Sequence, residues 1–132
     1  MPARIYDSFA LLKLFQKERG HQKVARLLEE DRAGRSQPLL QIINFGEIIY
    51  ITKKDFGETA KLRVIRNVIQ LDFRLISATD DLVYETAELK GIYAISYADA
   101  FLLATAIRKN ATIVTGDPEF RNVESLRAVE WV

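Results

Sequence analysis

The chain has 132 residues, 48% hydrophobic and 28% charged, with a formal net charge of +1 at neutral pH, and its length suits one domain spanning 1–132. It has no cysteine and a single histidine, His21, which excludes disulfides, thiolate zinc, a cysteine nucleophile and a histidine-rich metal centre; any metal must rely mainly on oxygen ligands. No apolar run approaches the roughly 18 residues of a membrane span and no signal-peptide pattern opens the chain, so the expectation is a cytoplasmic protein without membrane association.

Ala3-Arg4-Ile5-Tyr6 reads as a first strand closed by Asp7. From Ser8 to Glu18, Phe9, Leu11, Leu12, Leu14 and Phe15 recur at the spacing of a core-facing helix, which Gly20 breaks. Val24, Ala25, Leu27 and Leu28 predict a second helix ending near Gly34, and Ser36-Gln37-Pro38 reads as a connection into a short strand at Leu39 and Leu40. An apolar helix follows from Ile43 to about Lys54, and Gly57 divides it from an amphipathic one through Ala60, Val64, Ile65, Val68 and Ile69. Phe73 to Ile76 is a strand, Asp80 to Leu89 a helix, and Ala98 to Arg108 a helix apolar nearly all round, which implies deep burial or an oligomer interface. Thr112 to Val114 and Val129 to Val132 are the last strands. Strands alternating with helices predict a mainly parallel sheet covered on both faces, an α/β fold.

Four carboxylates stand out against this frame: Asp7, Glu47, Asp99 and Asp117. Each has a local explanation. Asp7 suits a helix N-cap, Asn44 and Glu47 have capping-box spacing, and so do Ser96 and Asp99. Asp117 lies in Gly116-Asp117-Pro118, a turn signature. Their conjunction argues for more, because three begin helices or leave strands on one edge of the sheet, where parallel folds bind ligands. The fourth shares a helix face with Ile43 and Ile51, a costly place for an unpaired charge. Clustered acids without histidine or cysteine suit Mg²⁺ or Mn²⁺, and such a centre suits phosphodiester hydrolysis. A pocket of acids would also offset cations around its rim, for which Lys13, Lys17, Arg35, Arg108, Lys109 and Arg121 are available.

Taken in order, Ile5-Tyr6-Asp7-Ser8, Ile43-Asn44-Phe45-Gly46-Glu47, Ser96-Tyr97-Ala98-Asp99-Ala100-Phe101 and Thr115-Gly116-Asp117-Pro118-Glu119-Phe120 resemble the motifs of PIN-domain ribonucleases, and most of all those of VapC-type toxins of toxin–antitoxin pairs. The resemblance extends to the terminal Glu130-Trp131-Val132. It implies a three-layer α/β/α fold and an endoribonuclease in which Asp7, Glu47, Asp99 and Asp117 bind Mg²⁺ or Mn²⁺ and activate water to attack RNA. Ser8, Asn44 and Thr115 match positions that support the acids, although capping or turn hydrogen bonds would also account for them. Phe9 departs from the family, which often has a small polar residue there. The resemblance further implies a homodimer and a VapB-type antitoxin covering the acidic groove. The apolar helices Ile42 to Ile51 and Phe101 to Ile107 would serve such contacts or the core.

Two other Mg²⁺-dependent α/β classes fit less well. A phosphatase asks for a second acid just after Asp7, where Ser8 and Phe9 stand, and a phospho-receiver asks for acids grouped near the first strand and a phosphorylated Asp after a central one, for which Asp80-Asp81, at a helix start, is a poor substitute. An RNA-processing nuclease outside a toxin pair, or a scaffold that binds RNA or protein without cutting, remain the alternatives.

Overall fold

A computed structural model describes residues 2–132. The elements run β1 (Arg4–Tyr6), α1 (Ser8–Gln16), α2 (His21–Ala33), β2 (Leu39–Gln41), α3 (Ile42–Phe56), α4 (Glu58–Gln70), β3 (Arg74–Ile76), α5 (Asp80–Ile92), α6 (Tyr97–Lys109), β4 (Thr112–Thr115), a 3₁₀ helix (Pro118–Val123) and β5 (Val129–Trp131). The five strands form one sheet in the order β3-β2-β1-β4-β5, and every pairing is parallel.

Side chains alternate across a strand, so a sheet buried on both faces needs apolar residues at successive positions. Ile5 and Tyr6, Leu39 and Leu40, and Ile113 and Val114 meet that need. Tyr6, Leu40 and Val114 pack with Leu11, Leu27, Phe45, Ile48 and Val68 from α1 to α4. Ile5, Leu39 and Ile113 pack on the other face with Ala100, Leu102, Leu103 and Ala106 of α6 and with Phe120 of the 3₁₀ helix. The expected three-layer α/β/α architecture is therefore present. Every residue of α6 from Asp99 to Ala106 is buried, so the all-round apolar surface of that helix serves the core rather than an interface.

One charged group crosses this core. Asp31 of α2 is fully buried and accepts hydrogen bonds from the Tyr6 hydroxyl at 2.6 Å and Arg4 Nη1 at 2.8 Å. Two partners on β1 thus satisfy a carboxylate whose desolvation would otherwise be prohibitive.

Several boundaries differ from the sequence expectation for identifiable reasons. Gln41 caps α3, its side-chain oxygen accepting the Ile43 N–H at 2.8 Å, so Asn44 lies inside the helix and the Asn44/Glu47 capping box does not form. Phe73 precedes β3 and stacks edge-on against Tyr6, with ring centroids 5.6 Å apart. Gly57 ends α3 at φ 93°, a left-handed backbone that glycine adopts without a Cβ penalty. The Gly116-Asp117-Pro118 turn continues into a 3₁₀ helix, Pro118–Val123, after β4.

The connectivity fixes where a ligand should sit. From β1 the chain builds outward through β2 to β3, then crosses back to place β4 and β5 on the other side of β1. The change of direction between β1 and β4 leaves a crevice at their carboxyl ends, the usual ligand position in such sheets.

Candidate active site

Asp7 leaves β1 at this crevice and caps α1, with Oδ1 accepting the Ala10 N–H at 2.6 Å. Its Oδ2 accepts a short hydrogen bond from the Thr115 hydroxyl at the end of β4. Thr115 Oγ1 in turn accepts the Asp117 N–H at 2.9 Å, and Asp117 Oδ1 accepts the Glu119 N–H at 2.9 Å. Thr115 thus ties the two strands that border the crevice. Gly116 is required here for space: a Cβ would stand 2.9 Å from the Val132 carbonyl oxygen and 2.5 Å from Lys13 Nζ.

Glu47 approaches from α3, half-buried, and its Oε1 accepts from Ser8 Oγ at 3.0 Å and Asn44 Nδ2 at 3.0 Å. Asp99 enters from the first turn of α6, where its N–H donates to Ser96 Oγ at 3.1 Å. Its carboxylate is buried, and Oδ2 has no hydrogen-bond partner. Asn44 Oδ1, beside Glu47, is also buried without a partner. Ser8, Asn44 and Thr115 therefore all contact one of the four acids.

The acids do not form a single compact cage. Asp99, Asp117 and Glu119 each bring one oxygen within 4.8 Å of the others. Asp7 lies near enough to Asp117 and Glu47 for their charges to raise its pKa, so it links Glu47 to the tight trio. Glu119 was not among the residues picked from sequence. The signal available for it was its place two residues after Asp117 on the same turn, which also reads as an ordinary acidic first turn of a helix.

Burial, opposed by the bonds from Thr115 and Ala10 and reinforced by Asp117 and Glu47, raises the Asp7 carboxyl to about 6. Burial is again the largest cause at Asp99, followed by contact with the Asp117 carboxyl and the charges of Asp7 and Glu119; together they push it to about 8. Like charges held this close favour a retained proton until a cation replaces it. A carboxylate oxygen buried without a donor and facing other acids fits a hard divalent cation. Asp99 and Asp117 could hold it, with Asp7, Glu119 and Glu47 adjoining.

The basic rim is smaller than the sequence suggested. Arg35 lies in the connection entering β2, and Arg108 and Lys109 close α6 just before β4, so all three occupy the opposite edge of the sheet; Arg108 also pairs with Glu85 at 2.6 Å. Lys13 stands beside Gly116, and Arg121 follows Asp117 on the 3₁₀ helix and stacks over Trp131 at 5.0 Å.

The family model for the PIN domain matches residues 5–126. Among solved structures, VapBC2 from Rickettsia felis bound to a promoter DNA fragment is similar at TM-score 0.76 and 17% identity, covering 97% of this chain and 97% of that one. A toxin–antitoxin complex from Klebsiella pneumoniae gives 0.72 at 22% identity over 97% and 96% of the two chains. VapC20 of Mycobacterium tuberculosis, a toxin that cleaves the sarcin-ricin loop, gives 0.71 at 18% identity over 92% and 95%. No curated protein sequence matches. With its parallel five-stranded sheet, its acids at the β1/β4 crevice and a family match over nearly its whole length, the chain belongs to the PIN domain family.

Proposed function

We propose that this protein is a metal-dependent endoribonuclease and the toxin of a VapBC-type pair, with Asp7, Glu47, Asp99 and Asp117 as its catalytic and metal-binding acids. The observation that carries the reading is Asp99 Oδ2, a buried carboxylate oxygen with no donor among converging acids. Asp99 and Asp117 would hold Mg²⁺ or Mn²⁺. When bound, the ion supplies Lewis-acid polarisation of a phosphate and a lowered pKa for water. Asp7 is fixed through both oxygens by Ala10 and Thr115, so it can orient groups in the crevice without reorganising. Glu47, steadied by Ser8 and Asn44, is less buried and is suited to accept a proton from attacking water. Arg121, and Lys13 if it leaves the Val132 carbonyl oxygen it donates to at 3.0 Å, would meet an RNA backbone.

The partner proposed is a VapB-type antitoxin, on the likeness to the VapBC2 complex. A cavity of about 440 Å³ between α1, α3 and α4 supports it, lined by Leu12, Phe15, Phe56 and Val64 together with the polar Arg63 and Asn67. Phe56, one of these lining residues, is 60% exposed. A homodimer is proposed on the motif resemblance alone, with Tyr84 and Ile92 of α5 as exposed apolar side chains on the opposite layer.

Purified, antitoxin-free protein should cleave a structured RNA pool with Mg²⁺ or Mn²⁺ and not with chelator, and an Asp7→Asn/Asp99→Asn double variant should be inactive. No cleavage by folded, metal-loaded protein across that pool would refute a general nuclease. RNA retained by the uncut mixture would then favour a binding role.

A further inference from the structure

Ser96-Tyr97-Ala98-Asp99 has the spacing of a reciprocal cap, in which the serine oxygen takes the Asp99 N–H and the aspartate carboxylate takes the Ser96 N–H. Only half of that cap forms within the segment: Asp99 N–H donates to Ser96 Oγ at 3.1 Å. The Ser96 N–H donates instead to Glu119 Oε2 at 3.2 Å, from the 3₁₀ helix that follows β4. Meanwhile Asp99 Oδ2 is buried with no donor, although the N–H of the cap residue three positions earlier is what a carboxylate in that position ordinarily takes.

We infer that Glu119 is a positioning residue: by occupying the Ser96 N–H from another element, it denies Asp99 its local partner and leaves that carboxylate turned toward Asp117. This rests on reading the acids as a metal centre. The helix start is satisfied either way, since an orphan N–H at a helix terminus needs one acceptor and either acid can supply it. The difference lies in which acid is left free. With Glu119 as acceptor, Asp99 is free; without it, Asp99 gains a charge-assisted hydrogen bond by folding back on its own helix. The same residue also steadies Asp117, whose Oδ1 accepts the Glu119 N–H at 2.9 Å. Pro118 between them fixes one backbone angle of the turn. One residue thus orients both acids of the tight pair, by backbone and by side chain.

The competing role is direct ligation, because a Glu119 oxygen lies within 4.8 Å of oxygens on Asp99 and Asp117. The conservative variant separates the two, since a glutamine oxygen still accepts from Ser96 but is a poor substitute for a charged ligand. Mn²⁺ titration calorimetry on the intact chain should show E119A binding about tenfold more weakly or worse, the usual range for residues that orient ligands, with E119Q close to the parent. In metal-free protein, amide hydrogen exchange at Ser96 should stay slow in E119A, where Asp99 takes the N–H, and become fast in E119A/D99A. Equal losses in E119Q and E119A would make Glu119 a ligand and overturn the inference. So would parent-like binding by E119A, or fast exchange at Ser96 in E119A alone. A parent chain that binds no Mn²⁺ refutes the metal centre itself and this role with it, whereas parent-like binding by E119A refutes the role alone.

Discussion

Replacing Asp7 with asparagine removes the charge of a fully buried acid while keeping its shape. Asparagine remains a good N-cap, its oxygen taking the Ala10 N–H, and the Thr115 hydroxyl can rotate to accept from the new amide. What disappears is the cost of ionising a group whose carboxyl sits at about 6 in the fold against an ordinary 3.8. At about 1.4 kcal/mol per pH unit, that gap is worth about 3 kcal/mol. The sign follows from proton counts. Between pH 3.8 and 6 the folded chain holds a proton at Asp7 that the unfolded chain has released, so metal-free stability falls as pH rises through that window and levels off above it. Urea denaturation in chelator should therefore find D7N more stable than the parent by about 3 kcal/mol at pH 7.5, with little difference near pH 3.5. Relief of Asp99, whose pKa Asp7 also raises, adds to the gain. Saturating Mn²⁺ should reverse the order, because the parent gains binding energy that D7N lacks. A D7N variant less stable than the parent in chelator at pH 7.5, or a gain of equal size at pH 3.5, would refute the electrostatic reasoning.

Tyr6→Phe deletes the 2.6 Å donor to buried Asp31 and should cost about 2 kcal/mol in urea unfolding, with RNA cleavage at permissive temperature unchanged. Leu102→Ala, in a fully buried position of α6 against the sheet, should cost about 3 kcal/mol by the same measurement. Phe56→Asp at the mouth of the α1/α3/α4 cavity should weaken antitoxin binding by about 2 kcal/mol in calorimetry while leaving metal-dependent cleavage intact.

The sheet was legible because doubly buried strands are short apolar runs, and Ile5-Tyr6, Leu39-Leu40 and Ile113-Val114 have no other economical use. The helices were legible from period and from Gly20 and Gly57, though their starts were not: Gln41 displaced Asn44 as the cap of α3 because its side chain reaches the Ile43 N–H, a contact that local spacing does not encode. The four acids could be singled out by their positions relative to strands, but each also fitted a cap or a turn, and the structure shows that two descriptions can hold at once. Asp7 caps α1 while facing the crevice. Glu119 escaped notice because its partner, Ser96, is 23 residues away in sequence and meets it only through the return of β4 to the sheet. The basic rim was over-read for the opposite reason, since sequence does not reveal which edge of the sheet a charge occupies; Arg35, Arg108 and Lys109 precede strands and so lie away from the acids.

Anomalous scattering from crystals soaked in Mn²⁺ shows whether these acids form a divalent-cation centre. A peak should appear in the β1/β4 crevice about 2 Å from carboxylate oxygens of Asp99 and Asp117. Full-occupancy Mn²⁺ elsewhere with the crevice empty, or no peak at saturating metal, would contradict such a centre.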